Sequence, residues 1–187
     1  MRKLTFFVLL LLLARNASAQ IDVSLNPLGI LFRNIDLSAE IAMKQSFGIE
    51  GIFKYDYDHY KVLDNTINSN GFGFVALGKY YFNPDLNISN FCAAPYVKFS
   101  TTNGRYSDGN TTGIVNHNKL AVGFYVGYKW VNVRNFVFEI GAGLGRNFIN
   151  RYNSANGSID LDEFPIINLD GVFKFSFGYR FNSTAQY

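Results

Sequence analysis

The feature that most constrains this chain is an alternation that recurs along it. In residues 172–181, Phe173, Phe175, Phe177, Tyr179 and Phe181 share one parity, while Val172, Lys174, Ser176, Gly178 and Arg180 share the other. A period of two places successive side chains on opposite faces of an extended strand. The theme returns in 118–131, where Leu120, Val122, Phe124, Val126, Tyr128 and Trp130 oppose Lys119, Ala121, Gly123, Tyr125, Gly127 and Lys129. It returns again in 135–145 and 35–43. Four further strands are read at 21–31, interrupted by Pro27, at 47–58, at 71–82, where apolar residues fill both registers, and at 92–101. That makes eight, and an even number is what a single-chain up-and-down barrel requires.

The sidedness separates two kinds of barrel. A soluble barrel turns bulky apolar residues inward and long charged ones to water. Here the face opposite the aromatics is rich in Gly, Ala and Ser, with only occasional charges. Small residues suit a narrow lumen, and large aromatics suit a wall facing lipid. The expected fold is therefore all-β, an eight-stranded antiparallel up-and-down transmembrane β-barrel.

Connection lengths agree. Short turns are expected at 44–46, 83–90 and 132–134. The longer connections 58–70, 102–118 and 147–168 are polar and rich in Asn, Ser, Gly, Thr and Asp. Short turns on one side and long loops on the other match outer-membrane barrels with periplasmic termini. Phe47, Tyr80, Phe82, Phe91, Tyr128, Trp130, Phe136, Tyr179 and Phe181 then cluster at the short-turn end as an interfacial aromatic girdle.

Residues 1–19 read as a secretory signal peptide. Arg2 and Lys3 precede an apolar run over 4–13, and Ala17-Ser18-Ala19 forms the small-residue exit. Cleavage is expected after Ala19, leaving 20–187 as the barrel domain. The chain carries 17 Lys and Arg against 14 Asp and Glu. Three of the basic residues, Arg2, Lys3 and Arg15, lie in the leader, so 20–187 balances at 14 against 14. No basic surplus remains for nucleic acid. The single cysteine, Cys92, excludes an intramolecular disulfide framework.

The segment 26–31 (Asn-Pro-Leu-Gly-Ile-Leu), followed by 34–40 (Asn-Ile-Asp-Leu-Ser-Ala-Glu) and 47–50 (Phe-Gly-Ile-Glu), resembles an uncharacterised family of small outer-membrane barrels from the Bacteroides group. That family carries a domain-of-unknown-function label. The resemblance implies an OmpA/OmpX-type architecture and no particular activity. The last strand also resembles the signal read by the bacterial barrel-insertion machinery, although 182–187 extend past Phe181.

Little in the sequence points to catalysis. The two histidines, His59 and His117, fall in expected outer loops, and neither stands in the His-x-Ser pattern of lipid A deacylase barrels. A nucleophile needs an oriented base beside it; a His/Asp pair near Ser107 is conceivable, but loop histidines in water are the better reading. The chain is read as a non-enzyme without cofactor or metal. Asp160, Asp162 and Glu163 are read as a solvated acidic loop rather than a calcium site. The 141–145 Gly-Ala-Gly-Leu-Gly run belongs to a strand, not a phosphate loop.

The inward register collects Glu40, Glu50, Lys54, Lys98, Lys129, Glu139, Lys174 and Arg180. Charges inside a narrow barrel are costly unless paired. The expectation is an ion-pair network that plugs the lumen, with loops 58–70, 102–118 and 147–168 offered to an extracellular partner. Lipid and the insertion machinery are the other expected partners. A narrow pore or small-solute carrier is the main rival. A secreted lipocalin-like binding protein is a weaker one, since the facing is inverted and the glycine-x-tryptophan motif is missing.

Overall fold

Alternation becomes pairing in the computed structural model, which describes residues 20–31, 33–62, 65–85, 87–107, 112–154, 157–160 and 168–181. Nine strands and one short helix follow in chain order. They are β1 (Ile21–Asn26), α1 (Pro27–Leu31), β2 (Asn34–Lys44), β3 (Phe47–Val62), β4 (Asn65–Tyr81), β5 (Asn90–Ser107), β6 (Thr112–Val131), β7 (Phe136–Ser154), β8 (Gly157–Asp160) and β9 (Leu169–Phe181). Neighbours in sequence pair antiparallel from β1 through β7. β9 then pairs with β7 on one edge and with β1 on the other, closing the ring. Among the described residues, β8 pairs with residues 151–154 of β7 alone. The closed wall therefore has eight strands, and the ninth is a small hairpin arm above it. Closure matters because an open edge would leave a row of backbone donors and acceptors unpaired.

Two expectations from sequence are corrected. A strand over 21–31 stops at Asn26. Proline has no N–H to give a ladder that pairs on both sides, and its fixed φ suits the first position of a helix. Arg33, at φ 57°, then returns the chain to β2. The second correction concerns the polar connections 58–70, 102–118 and 147–168. Most of their described backbone is strand. The β3–β4 ladder runs from Phe47↔Tyr80 to Val62↔Asn65, and the β5–β6 ladder from Asn90↔Lys129 to Ser107↔Thr112. A barrel strand needs about 9–11 residues to cross a membrane. These strands have 16 to 20 residues, so they continue well past the apolar band as hairpins that stay joined to one another, β4 to β5 at Thr66↔Ser107 and β6 to β7 at Val115↔Ser154.

At the opposite end, called the base here, the turns are tight. Asn83, Asn87, Asn90 and Asn135 all take positive φ, from 47° to 71°. Asparagine tolerates this region better than other residues with a Cβ. In the β6–β7 turn, the Asn132 side-chain oxygen accepts from the backbone N–H groups of Arg134 and Phe136, both at 2.9 Å. The β4–β5 connection folds inward, burying Ile88 completely.

The wall has one apolar side and one mixed side. Outward residues such as Phe53, Phe74, Phe99, Phe124, Phe173 and Phe177 are exposed. Inward residues of the same strands are buried, and β4, ambiguous from sequence, turns Val75, Leu77, Lys79 and Tyr81 to the interior. Glycines on β6 and β7 make room for tyrosines: a Cβ on Gly141 would collide with the Tyr125 hydroxyl, and one on Gly123 would lie 2.5 Å from the Tyr96 ring.

Candidate functional site: the charged interior

All eight charged residues assigned to the inner face from sequence lie on it, and the structure adds buried charges outside that set, among them Asp22, Asp36, Lys79 and Asp170. The assembly begins with an acidic row. Asp22 on β1 is in register with Glu40 on β2, which is in register with Glu50 on β3. Like charges directly opposite one another repel. They persist because cations converge on them from the neighbouring strands β4 and β9 and from β6 across the lumen. Lys79 of β4 contacts Glu40 at 3.2 Å, Glu50 at 2.7 Å and Glu139 at 2.5 Å. Lys129 of β6 pairs with Glu40, and with Asp22 at 3.1 Å. Lys174 of β9 pairs with Glu50, and with Glu139 at 2.7 Å. Arg180 grips Asp22 with two parallel hydrogen bonds of 2.7 and 2.9 Å and donates to the Ile88 carbonyl at 2.9 Å.

This cluster comprises four acids (Asp22, Glu40, Glu50, Glu139) and four bases (Lys79, Lys129, Lys174, Arg180), each at most 4 % exposed. Formal charge therefore cancels within it. Tyrosine hydroxyls fill remaining lone pairs: Tyr81 donates to Glu40 at 2.7 Å and Tyr125 to Glu139 at 2.9 Å. A buried ion pair is tolerated only when its hydrogen-bonding capacity is largely used. Oxygens of Glu40, Glu50 and Glu139 come within 4.8 Å of one another, a spacing that could hold a metal ion. The ammonium groups of Lys79, Lys129 and Lys174 occupy the space between these carboxylates and neutralise them. The donor set fits a lysine-bridged network better than a cation site.

Lys54 and Lys98 sit apart, nearer the end with the long hairpins. Lys54 pairs with Asp36 at 2.7 Å, and Lys98 with Asp170 at 2.8 Å. Tyr96 donates to the same Asp170 at 2.9 Å. Both lysines are 18 % exposed, and they line a cavity of about 250 Å³ with Asp56, Thr102, His117 and Lys119. His117 Nε2 lies 2.7 Å from the Asn150 side-chain oxygen. Burial holds the His117 ring below its ordinary pKa by disfavouring the charged form. The side chains of His59, Ser107 and Asp160 and all of Asp162 and Glu163 fall outside the described residues.

The aromatic residues expected at the short-turn end meet there in contacting groups. Tyr80 packs edge-on against Phe82 with centroids 5.0 Å apart, and Phe82 lies 5.5 Å from Phe91. Tyr128, Trp130 and Phe138 form a second run at 4.4 and 5.1 Å. Phe136, Tyr179 and Phe181 form a third at 5.9 and 5.0 Å. Phe47 stands in register with Tyr80.

A closed antiparallel ring with an apolar exterior and a polar interior defines the chain as a β-barrel of the kind found in outer membranes. It belongs to the family described as "Protein of unknown function (DUF3575)", which matches residues 4–163. The fold is also similar to the crystal structure of a major outer membrane protein from Thermus thermophilus. That likeness has a TM-score of 0.54 at 14% identity and covers 88% of this chain and 100% of the other. No curated protein matches the chain.

Proposed function

We propose that this chain is a bacterial outer-membrane barrel with a structural or surface-interaction role, its lumen sealed by side chains and its hairpins presented outside the cell. The observation that carries the reading is the charge-balanced cluster of four acids and four bases buried inside an apolar-faced ring. An exterior of exposed Phe, Val, Leu and Ile is unfavourable in water and favourable in lipid. Eight strands enclose only enough room for side chains, and here they are long, paired and hydrogen-bonded. In this reading the base faces the periplasm, the aromatic groups sit at the inner interface, and residues 1–19 are removed on export. The kinship implied by the sequence, with small barrels of the Bacteroides group, belongs to the same reading. The protein is non-catalytic and uses no cofactor, and the hairpins of β3–β4, β5–β6 and β7–β8 are its contact surface.

A narrow pore is the second reading, favoured by the cavity of about 250 Å³ at the hairpin end. Planar-bilayer recording separates the two. The sealed barrel gives no sustained openings at neutral pH. Sustained openings whose size changes in Glu139→Ala would sink the seal. Retarded gel mobility after boiling, with resistance to carbonate extraction, checks the membrane barrel itself.

A further inference from the structure

Pairing between β1 and β9 ends at Leu25↔Phe177, although β9 continues eight residues further to Leu169 along its β7 edge. β2 runs up to Asn34 on the other side. Between these two edges the wall holds the short helix α1 in place of a strand. A cavity of about 340 Å³ lies there, bounded by Leu28 and Gly29 of α1, by Asn34, Asp36 and Lys54, and by Phe173. Phe173 is on the outer surface, whereas Asp36 and Lys54 face the lumen. The space therefore passes through the wall. Inward it narrows to a void of about 10 Å³ beside Ser176 and Lys174, room for roughly one water.

The polar atoms around this cleft are unusual. Asn26 Oδ1, Asn34 Oδ1, Asp36 Oδ1 and Ser176 Oγ are buried and have no hydrogen-bond partner among the described residues. Such atoms are normally satisfied, and leaving one unpaired is costly. For Asn26 and Asp36 the orientation is fixed. Asn26 Nδ2 and Lys54 Nζ both donate to the other carboxylate oxygen of Asp36, at 3.1 and 2.7 Å, so Asn26 Oδ1 is the end of that amide left over. Asn26, Asp36 and Ser176 are 8 %, 5 % and 1 % exposed. Three of the four atoms can only accept, so the site asks for donors. Asp36 is already neutralised by Lys54, which favours a neutral donor over a cation.

We infer that this cleft binds the hydroxyl-rich group of a neutral glycoside, reached sideways from the bilayer. The inference rests on the membrane reading above. Phe173 lies eight residues up β9 from Phe181. At about 3.3 Å per residue on a strand tilted by roughly 40°, that is about 20 Å above the base aromatics. The apolar band of such a barrel is about 25 Å tall, so the cleft opens near the level of the outer headgroups. A sugar hydroxyl placed there meets the free acceptors while an alkyl chain follows Phe173 and Leu28.

The test uses the full mature chain refolded in dodecylphosphocholine, whose headgroup has no hydrogen-bond donor. Octyl glucoside and free glucose are titrated separately while the side-chain amide signals of Asn26 and Asn34 are followed by NMR. Saturable shifts with octyl glucoside but not with glucose assign the ligand to the membrane. Shifts with both assign it to free sugars and leave the donor chemistry standing. Ser176→Ala removes no hydrogen bond of the protein, and Asn34→Ala lies at the end of its strand, so both variants keep the fold. Each is expected to weaken binding by up to about tenfold, the worth of one hydrogen bond. No shift with either probe, in protein that still shows the boiling-dependent mobility change, overturns the inference. Loss of that mobility change instead overturns the membrane reading and takes the cleft's lipid route with it.

Discussion

The two halves of the barrel are built on opposite terms. In the base half, eight charges and three large tyrosines (Tyr81, Tyr96 and Tyr125) leave almost no exposed surface inside, and short asparagine turns close the strands. In the hairpin half, the ion pairs are 18 % exposed on their lysine side, the interior opens into cavities, and one wall position is a helix rather than a strand. The same ladder runs through both. The difference lies in what the inner face carries, and it separates the part that holds the ring together from the part free to meet ligands.

The largest effect should come from removing the hub of the base half. Lys79→Met keeps the length of the side chain but leaves Glu40, Glu50 and Glu139 facing one another. Breaking a buried pair from one side costs about 3–5 kcal/mol. The urea midpoint, followed by the boiling-dependent mobility change, should fall sharply. Lys54→Met removes an ion pair in the hairpin half whose lysine is partly exposed and whose Asp36 keeps the Asn26 hydrogen bond, and should lower the midpoint clearly less. Equal losses from the two would erase the contrast.

Gly141→Val tests the base half by crowding instead of by charge. The added atoms meet the Tyr125 hydroxyl and push it from Glu139, with a cost of about 1–3 kcal/mol. The matching change in the far half, Gly171→Ala, meets nothing nearer than 3.9 Å and should leave the midpoint unchanged. Trp130→Ala, at the centre of an aromatic run, should cost about 0.5–1.5 kcal/mol beyond its lost area. A mobility assay in thin and thick bilayers reads that loss.

The smallest effect is a pH dependence confined to the hairpin half. His117 lies three residues beyond Leu120 toward the hairpin end of β6. Its folded pKa is lowered, so below the ordinary value of 6.5 the unfolded chain binds the extra proton first. Stability therefore falls as pH drops through that value and levels off below the folded one. His117→Gln should flatten this part of the profile. A slope that survives the substitution assigns the effect to another group.

Much of this is legible as parity. Strand count, closure and the inward side of Glu40, Glu50, Lys129, Glu139, Lys174 and Arg180 follow from a period of two, because one wrong register would flip an entire strand. Lys79 escapes because 71–82 has apolar residues in both registers, although the aromatics Phe72, Phe74, Tyr80 and Phe82 all share the even one. Weighting ring size over hydrophobicity turns Lys79 inward. Asp22 is hidden in a strand read as continuing through Pro27. The partnerships themselves lie beyond any local pattern: Lys174 meets Glu50 across 124 residues and Arg180 meets Asp22 across 158. Only closure brings them together. The cleft beside α1 is equally hidden, since it exists where a strand is missing.

The acidic row on the first three strands has a consequence for the order of assembly. Asp22, Glu40 and Glu50 arrive early in the chain, whereas Lys174 and Arg180 arrive on the last strand. Until β9 docks, Asp22, Glu40, Glu50 and Glu139 face only Lys79 and Lys129, so the nascent sheet holds a half-compensated negative seam, and any partial ring that seals without β9 keeps that repulsion. The final strand thus acts as a latch as well as a wall: the last two positive charges, Lys174 and Arg180, are withheld until the ring is complete, which opposes premature closure and rewards the correct one.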